Sequence, residues 1–340
     1  NRRVGIGGDL RLTERLNLVG EVSEGDLGPA GKIGTEYLFS DKTTLYQNYT
    51  LENERSDNGL LARKGNLTSG FRTRYSDSMS VFLEEHYSHG DIPTGLTHST
   101  GVDLAATERL NLGANLDFGS LKDPQTAAEI DRKTIGGSVG YGFENVKLAS
   151  GLEYRVDETE QPDTDFTKRI SWLFKNNLKY QISQDWRLIG KFNYSLSESS
   201  LGDFYDGNYT EAVLGFGYRP IYHDRLNVLL KYTYFYNLPP ADQTSDGNTP
   251  VGYIQRSHIG AVDFMYDLTS RWAVGGKYAY RHGEVATDRE RPDYFDSRAH
   301  LYVLRADWHF IHHWDALVEG RWLDLPDAKD SRSGALLGLY

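Results

Sequence analysis

Trp272-Ala273-Val274-Gly275-Gly276-Lys277-Tyr278-Ala279-Tyr280-Arg281 is the stretch on which the fold turns. Read at every second position it separates into Trp272, Val274, Gly276, Tyr278 and Tyr280 on one face, and Ala273, Gly275, Lys277, Ala279 and Arg281 on the other. One face is apolar and the other polar or small, which is the period of a β-strand. Alternation alone does not say whether the apolar face meets a core or a lipid phase. The aromatic placement does, because amphipathic rings bracket the apolar stretch at both ends. Trp272 and Tyr280 lie eight residues apart. At about 3.4 Å per residue and a tilt near 40° that separation is on the order of 20 Å, close to the apolar band of about 25 Å between the aromatic girdles of membrane barrels.

The same split recurs elsewhere. Trp186, Leu188, Gly190, Phe192 and Tyr194 oppose Arg187, Ile189, Lys191, Asn193 and Ser195, and Leu226 to Tyr236 divides the same way around Asn227, Lys231 and Thr233. A girdle is therefore expected from Trp186, Trp272 and Trp314 at the turn ends and from Tyr194, Tyr234, Tyr236 and Tyr280 at the loop ends. A turn motif precedes many of these strands. Thr13-Glu14-Arg15-Leu16-Asn17-Leu18 returns letter for letter as Thr107-Glu108-Arg109-Leu110-Asn111-Leu112. Looser copies start at Ser40-Asp41, Ser76-Asp77, Ser183-Gln184-Asp185, His223-Asp224-Arg225, Thr269-Ser270-Arg271 and His312-His313. A turn-plus-strand unit repeated this often describes a meander of antiparallel hairpins.

Composition agrees. Only 39% of the 340 residues are hydrophobic and the mean hydropathy is -0.57, so no run of about 18 apolar residues offers a transmembrane helix. Tyr, Gly, Phe and Trp are plentiful (23, 35, 14 and 6) while Met is scarce (2), a strand-forming and interface-anchoring palette. The absence of Cys removes thiolate metal sites, disulfides and thiol nucleophiles together. A net charge of -11 with no basic stripe argues against nucleic acid as a partner.

Period-two reading places strands near 3–11, 16–23, 31–39, 44–54, 65–75, 79–88, 96–106, 109–118, 132–143, 145–156, 166–181, 186–196, 208–219, 225–237, 253–266, 272–282, 298–310, 314–323 and 332–340. Connections alternate between short motif turns and longer polar loops, the latter at Ser56–Lys64, Gly119–Asp131, Asp157–Asp165, Glu198–Gly207, Leu238–Pro250 and Ala286–Asp296. No linker divides the chain, so residues 1–340 are expected to form one domain.

With these turns, alternating strands and girdle positions, the whole chain resembles bacterial outer-membrane β-barrels. The implied fold is all-β: an antiparallel up-and-down transmembrane barrel of about 18–20 strands with short periplasmic turns and longer extracellular loops. The implied location is the outer membrane, with lipid, lipopolysaccharide and the barrel-assembly machinery as partners. The Thr-Glu-Arg-Leu-Asn-Leu units and Gly334-Ala335-Leu336-Leu337-Gly338-Leu339-Tyr340 further resemble the C-terminal barrel regions of large repeat-containing bacterial surface proteins. An even strand number and periplasmic termini are usual in such barrels. A further strand before Asn1 and others after Tyr340 are therefore expected.

On the polar face, parity gathers Glu21, Glu153, Arg155, Lys191, Lys231, Lys277, Arg281, Arg305, Asp307, Glu319 and Arg321 as lumen-lining residues. They would form a charge-selective constriction or simply neutralise one another. The acidic run Asp157-Glu158-Thr159-Glu160-Gln161-Pro162-Asp163-Thr164-Asp165 is a candidate for divalent cations, although it lacks EF-hand spacing. His309, His312 and His313, and His86, His89, Asp91 and His98, are the candidates for metal or acid/base groups. Neither set has the spacing of a known catalytic or metal motif. In Gly136-Gly137-Ser138-Val139-Gly140-Tyr141-Gly142 the alternation continues as strand through Phe143 with no following helix, so it is no nucleotide loop. No enzyme activity, resident metal or cofactor is expected. The expected role is a membrane anchor or conduit of a larger exported surface protein, with a free-standing porin as the alternative and a rim hydrolase as a third. No N-terminal globular plug of the kind TonB-dependent transporters carry is legible.

Overall fold

A computed structural model describes residues 3–55, 61–124, 126–161, 164–240, 245–246, 249–250, 253–311 and 314–339. Among the described residues, nineteen long strands succeed one another in a single antiparallel up-and-down sheet, the fold of a transmembrane β-barrel. In chain order they are β1 (Arg3–Thr13), β2 (Leu16–Gly25), β3 (Ala30–Ser40), β4 (Thr43–Arg55), β5 (Leu61–Arg74), β6 (Met79–Gly90), β7 (Thr94–Ala105), β8 (Leu110–Lys122), β9 (Glu129–Gly142) and β10 (Val146–Gln161). They continue as β11 (Thr164–Gln181), β12 (Trp186–Ser199), β13 (Gly207–Tyr218), β14 (Leu226–Leu238), β15 (Ile254–Asp267), β16 (Trp272–Ala286), β17 (Tyr294–Ile311), β18 (Trp314–Leu325) and β19 (Asp330–Leu339). No helix among the described residues is long and apolar enough to cross a membrane; the strands do the spanning.

The motif turns close by a local device. In Thr107–Leu110 the backbone exchanges hydrogen bonds in both directions, at 3.2 and 3.3 Å, around a two-residue loop. The Thr107 hydroxyl oxygen then accepts from the amides of Arg109 (3.2 Å) and Leu110 (3.0 Å). Ser40 accepts from Lys42 and Thr43, Ser183 from Asp185 and Trp186, and Thr269 from Arg271 and Trp272, all at 3.1–3.3 Å. A hydroxyl at the first position replaces a backbone acceptor and fixes where the next strand starts. His223-Asp224-Arg225 departs from this pattern. There Ile221–His223 is a short 3-10 turn, braced by Arg219 Nε donating to Asp224 at 2.7 Å and by the Ile221 amide donating to Asp185 at 2.8 Å.

The expected strands all occur, but several run further into their loops. β10 and β11 extend through Gln161 and from Thr164, so the acidic run is strand rather than loop, apart from Pro162 and Asp163, which lie outside the described residues. Likewise β8 reaches Lys122 and β9 begins at Glu129, shortening the loop expected over Gly119–Asp131.

Two compact units divide the chain. The first comprises Asn1–Gly140, Gly151–Trp172 and Glu198–Leu201; the second comprises Tyr141–Ser150, Leu173–Ser197 and Gly202–Tyr340. Within the first, unbroken registers join β1 through β8, interrupted only by one-residue irregularities such as that between Arg11 and Thr13. Within the second they join β12 through β19.

Candidate functional site

Because directly paired residues of an antiparallel ladder share a face, the registers assign every side chain to one of two surfaces. In the second unit one surface is apolar and exposed: Leu214, Phe216, Leu230, Val262, Phe264, Leu304 and Val318 all lie on it. A water-soluble sheet would cover this surface with a second layer; here it stays open, as a lipid-facing wall requires.

Aromatic rings border it. At the turn ends Trp186 packs on Tyr218 with centroids 4.7 Å apart, and Trp272 stacks on Trp308 at 5.2 Å and 9°. Trp314 is exposed at the start of β18. At the loop ends Tyr194, Tyr234, Tyr236 and Tyr280 lie on the apolar face and are joined by histidines. Tyr232 Oη lies 2.7 Å from His258 Nδ1, and Tyr278 Oη lies 3.0 Å from His300 Nδ1. Trp308, Tyr218 and Tyr302 are border residues that the expected girdle did not include. The parity of Leu304 and Tyr302 within the 298–310 strand was the signal that points to Trp308.

The opposite surface carries charge in pairs. Lys191, Lys231, Lys277, Arg281, Arg305, Asp307, Glu319 and Arg321 all lie on it, joined by Glu211 and Asp263, which sequence reading passed over. Lys191 Nζ is 2.8 Å from Glu211, which also accepts from Asn193 and from the Tyr209 hydroxyl. Lys277 Nζ sits 3.9 Å from Asp263 directly across the ladder. Arg305 grips Asp307 with two hydrogen bonds of 2.8 and 2.9 Å, while Arg321 bonds Glu319, which is only 8% exposed beneath it. Arg281 donates to Ser297 at 3.2 Å.

The first unit repeats the scheme with more hydroxyls and amides. Glu21 is exposed on its polar face, in line with Lys32 across the ladder. On the same face Tyr46 hydrogen-bonds Glu84, and Ser99 hydrogen-bonds Asp117. Arg132 holds Asp157 through two bonds of 2.7 and 3.2 Å, with Arg155 3.8 Å away. Glu153 shares the parity of Arg155 in β10. Glu158 sits 3.7 Å from both Lys133 and Lys168, so two carboxylates of the acidic run already face cations.

The candidate histidines are dispersed. His86 points to the polar face, 3.1 Å from Glu84; His98, 3.5 Å from Glu85, and His89, stacked on Tyr49, point to the other. Asp91 accepts from the Arg63 amide at 2.7 Å. His309 bonds Asp315, and His312 and His313 lie outside the described residues.

Near the start of β17, Arg298 clamps Asp327 of the turn after β18 through its Nε and a 2.7 Å bond from Nη2, and the Arg298 amide adds a bond of 2.6 Å. These bonds, the guanidinium's first among them, hold the Asp327 carboxyl below the usual aspartate range. A carboxylate with a depressed pKa stabilises the folded loop above its unfolded pKa of about 3.9, and that contribution fades as pH falls through the lower folded value. A carboxyl carbon titration of Asp327 by NMR is expected to show a midpoint below about 3.9, returning toward it in Arg298→Gln.

No family model matches the chain, and no curated protein does. Solved structures do. The FrpB iron transporter from Neisseria meningitidis (F3-3 variant) superposes with a TM-score of 0.58 at 12% identity, covering 92% of this chain and 63% of that one. The copper transporter OprC gives 0.55 at 10% identity, covering 99% and 64%. The siderophore receptor PirA from Pseudomonas aeruginosa gives 0.54 at 10% identity, covering 97% and 73%. The chain spans less than two thirds of the length of the first two. At these identities the likeness concerns the fold, which is that of outer-membrane β-barrels.

Proposed function

We propose that the chain is the membrane-spanning wall of a conduit in a bacterial outer membrane, the polar face bordering a hydrated lumen and the apolar face meeting lipid. The observation that carries this reading is the series Lys191–Glu211, Lys277–Asp263, Arg305–Asp307 and Arg321–Glu319 on one face of the second unit. Ionised groups removed from water cost several kcal/mol each even when paired, whereas in a wetted channel the same pairs cost little. A dry, side-chain-filled interior has no use for them. Alternating signs give a weakly selective wall rather than a single-sign filter. The likeness in fold to outer-membrane transporters supports the same direction.

The test is single-channel conductance of the refolded chain in a planar bilayer. Large uniform steps are expected. Stable insertion without conductance would reject the conduit and leave a membrane anchor for an exported surface protein.

A further inference from the structure

On the apolar face of the second unit, past the tyrosines at the loop ends, the chemistry changes abruptly. His282 follows Tyr280 by two positions on that face, and Glu284 follows His282 by two more. Across the ladder Glu284 faces Asp296 of β17 directly. One ligand atom from each of His282, Glu284 and Asp296 lies within 4.8 Å of the other two. On the other flank of β16, His258 of β15 pairs directly with His282. Its Nδ1 is engaged by the Tyr232 hydroxyl at 2.7 Å, so this ring flanks the cluster. Two adjacent strands, β16 and β17, thus bring one imidazole and two carboxylates to one spot, with the His258 ring paired beside them.

We propose that His282, Glu284 and Asp296 bind a divalent transition-metal ion of the zinc type on this face, just beyond the loop-end aromatic belt of the second unit. The donor set decides the class of ion. Mixed nitrogen and oxygen ligands suit zinc and its first-row neighbours, whereas calcium and magnesium prefer oxygen alone. A rigid ladder also suits the site, since the i, i+2 spacing and the cross-strand pair fix two of the three side-chain origins without a loop.

Arg256 is the built-in competitor. Its Nε approaches Glu284 at 2.6 Å, while its guanidinium also lies over the Tyr294 ring at 4.9 Å from the centroid. The metal ion takes Glu284 as the guanidinium withdraws onto the ring, which offers it a cation–π seat. Arg298, next to His282 across the ladder, is already engaged by Asp327 and does not block the site.

The test titrates zinc into the refolded 340-residue chain in detergent, competing against a chromophoric chelator. Ten histidines and 48 acidic residues guarantee weak background binding, so the comparison is with His282→Asn, Glu284→Gln and Asp296→Asn. One zinc per chain is expected in the tight class. Each substitution is expected to weaken it by roughly tenfold or more, and millimolar calcium is expected to leave it bound. Heat-dependent gel mobility confirms that each variant is folded, and the near-isosteric Gln and Asn replacements keep that condition attainable. Absence of a tight class in the parent chain, affinity unchanged in all three variants, or displacement by calcium would each overturn the proposal.

Discussion

Arginine in place of Leu304 is expected to destabilise the folded chain in a phospholipid bilayer by roughly 2–4 kcal/mol, the range for a basic side chain on the lipid face near the midplane of a membrane barrel. Leu304 is 72% exposed on the apolar face and pairs with Gly276, halfway between Trp272 and Tyr280 in β16. No neighbouring carboxylate on that face stands ready to receive the guanidinium among the described residues. Its partner across the other flank is Gly320. The control is Thr233→Arg on the opposite face, beside Val213 and Ile259, where a long cation reaches water. There the change is expected to stay within about 1 kcal/mol, as for ordinary surface substitutions. Reversible urea unfolding in lipid vesicles measures both. Equal costs at the two sites would mean that the assignment of faces to lipid and water is mistaken.

Removing two carboxylates from the polar face is expected to change which ions pass. In Asp307→Asn combined with Glu319→Gln, Arg305 and Arg321 lose the partners that neutralise them at present. Two basic groups then stand on one stretch of wall, and the anion-to-cation permeability ratio is expected to rise on the order of severalfold at low salt. The shift should shrink as ionic strength rises and the Debye length falls toward about 3 Å at 1 M. Reversal potentials under a salt gradient report it. Both replacements keep a side-chain oxygen as acceptor, which matters for Glu319 because it is nearly covered. An unaltered reversal potential in a conducting variant would mean these residues do not border the ion path.

Chain periodicity carried most of the fold, and particular residues show where it ran short. Thr107 and Thr269 mark their turns because the hydroxyl closes a hydrogen bond two and three residues away, an event complete within the local chain. Asp157 and Glu158 read as loop because charge and Pro162 dominate their neighbourhood. They are strand because Arg132, Arg155, Lys133 and Lys168 meet them from the same and neighbouring strands, more than twenty residues away in the farthest case. The polar-face lysines and arginines were legible by parity, yet Glu211 and Asp263, which neutralise two of them, were not. Trp308 went unnoticed until its stack on Trp272 gave it a role.

The sequence by itself determined the alternation of faces, the positions of the hairpin turns and the apolar stretch bracketed by aromatic residues. All three depend on spacing along one strand or within one turn. Tertiary structure alone decided the partners: which carboxylate meets which cation, which ring stacks on Trp272, and that Asp296 stands opposite Glu284 beside His282. Those facts depend on register, and a shift of one residue between neighbouring strands would pair each side chain with the opposite face. Register is set by many weak cross-strand contacts acting together, so no short segment contains it.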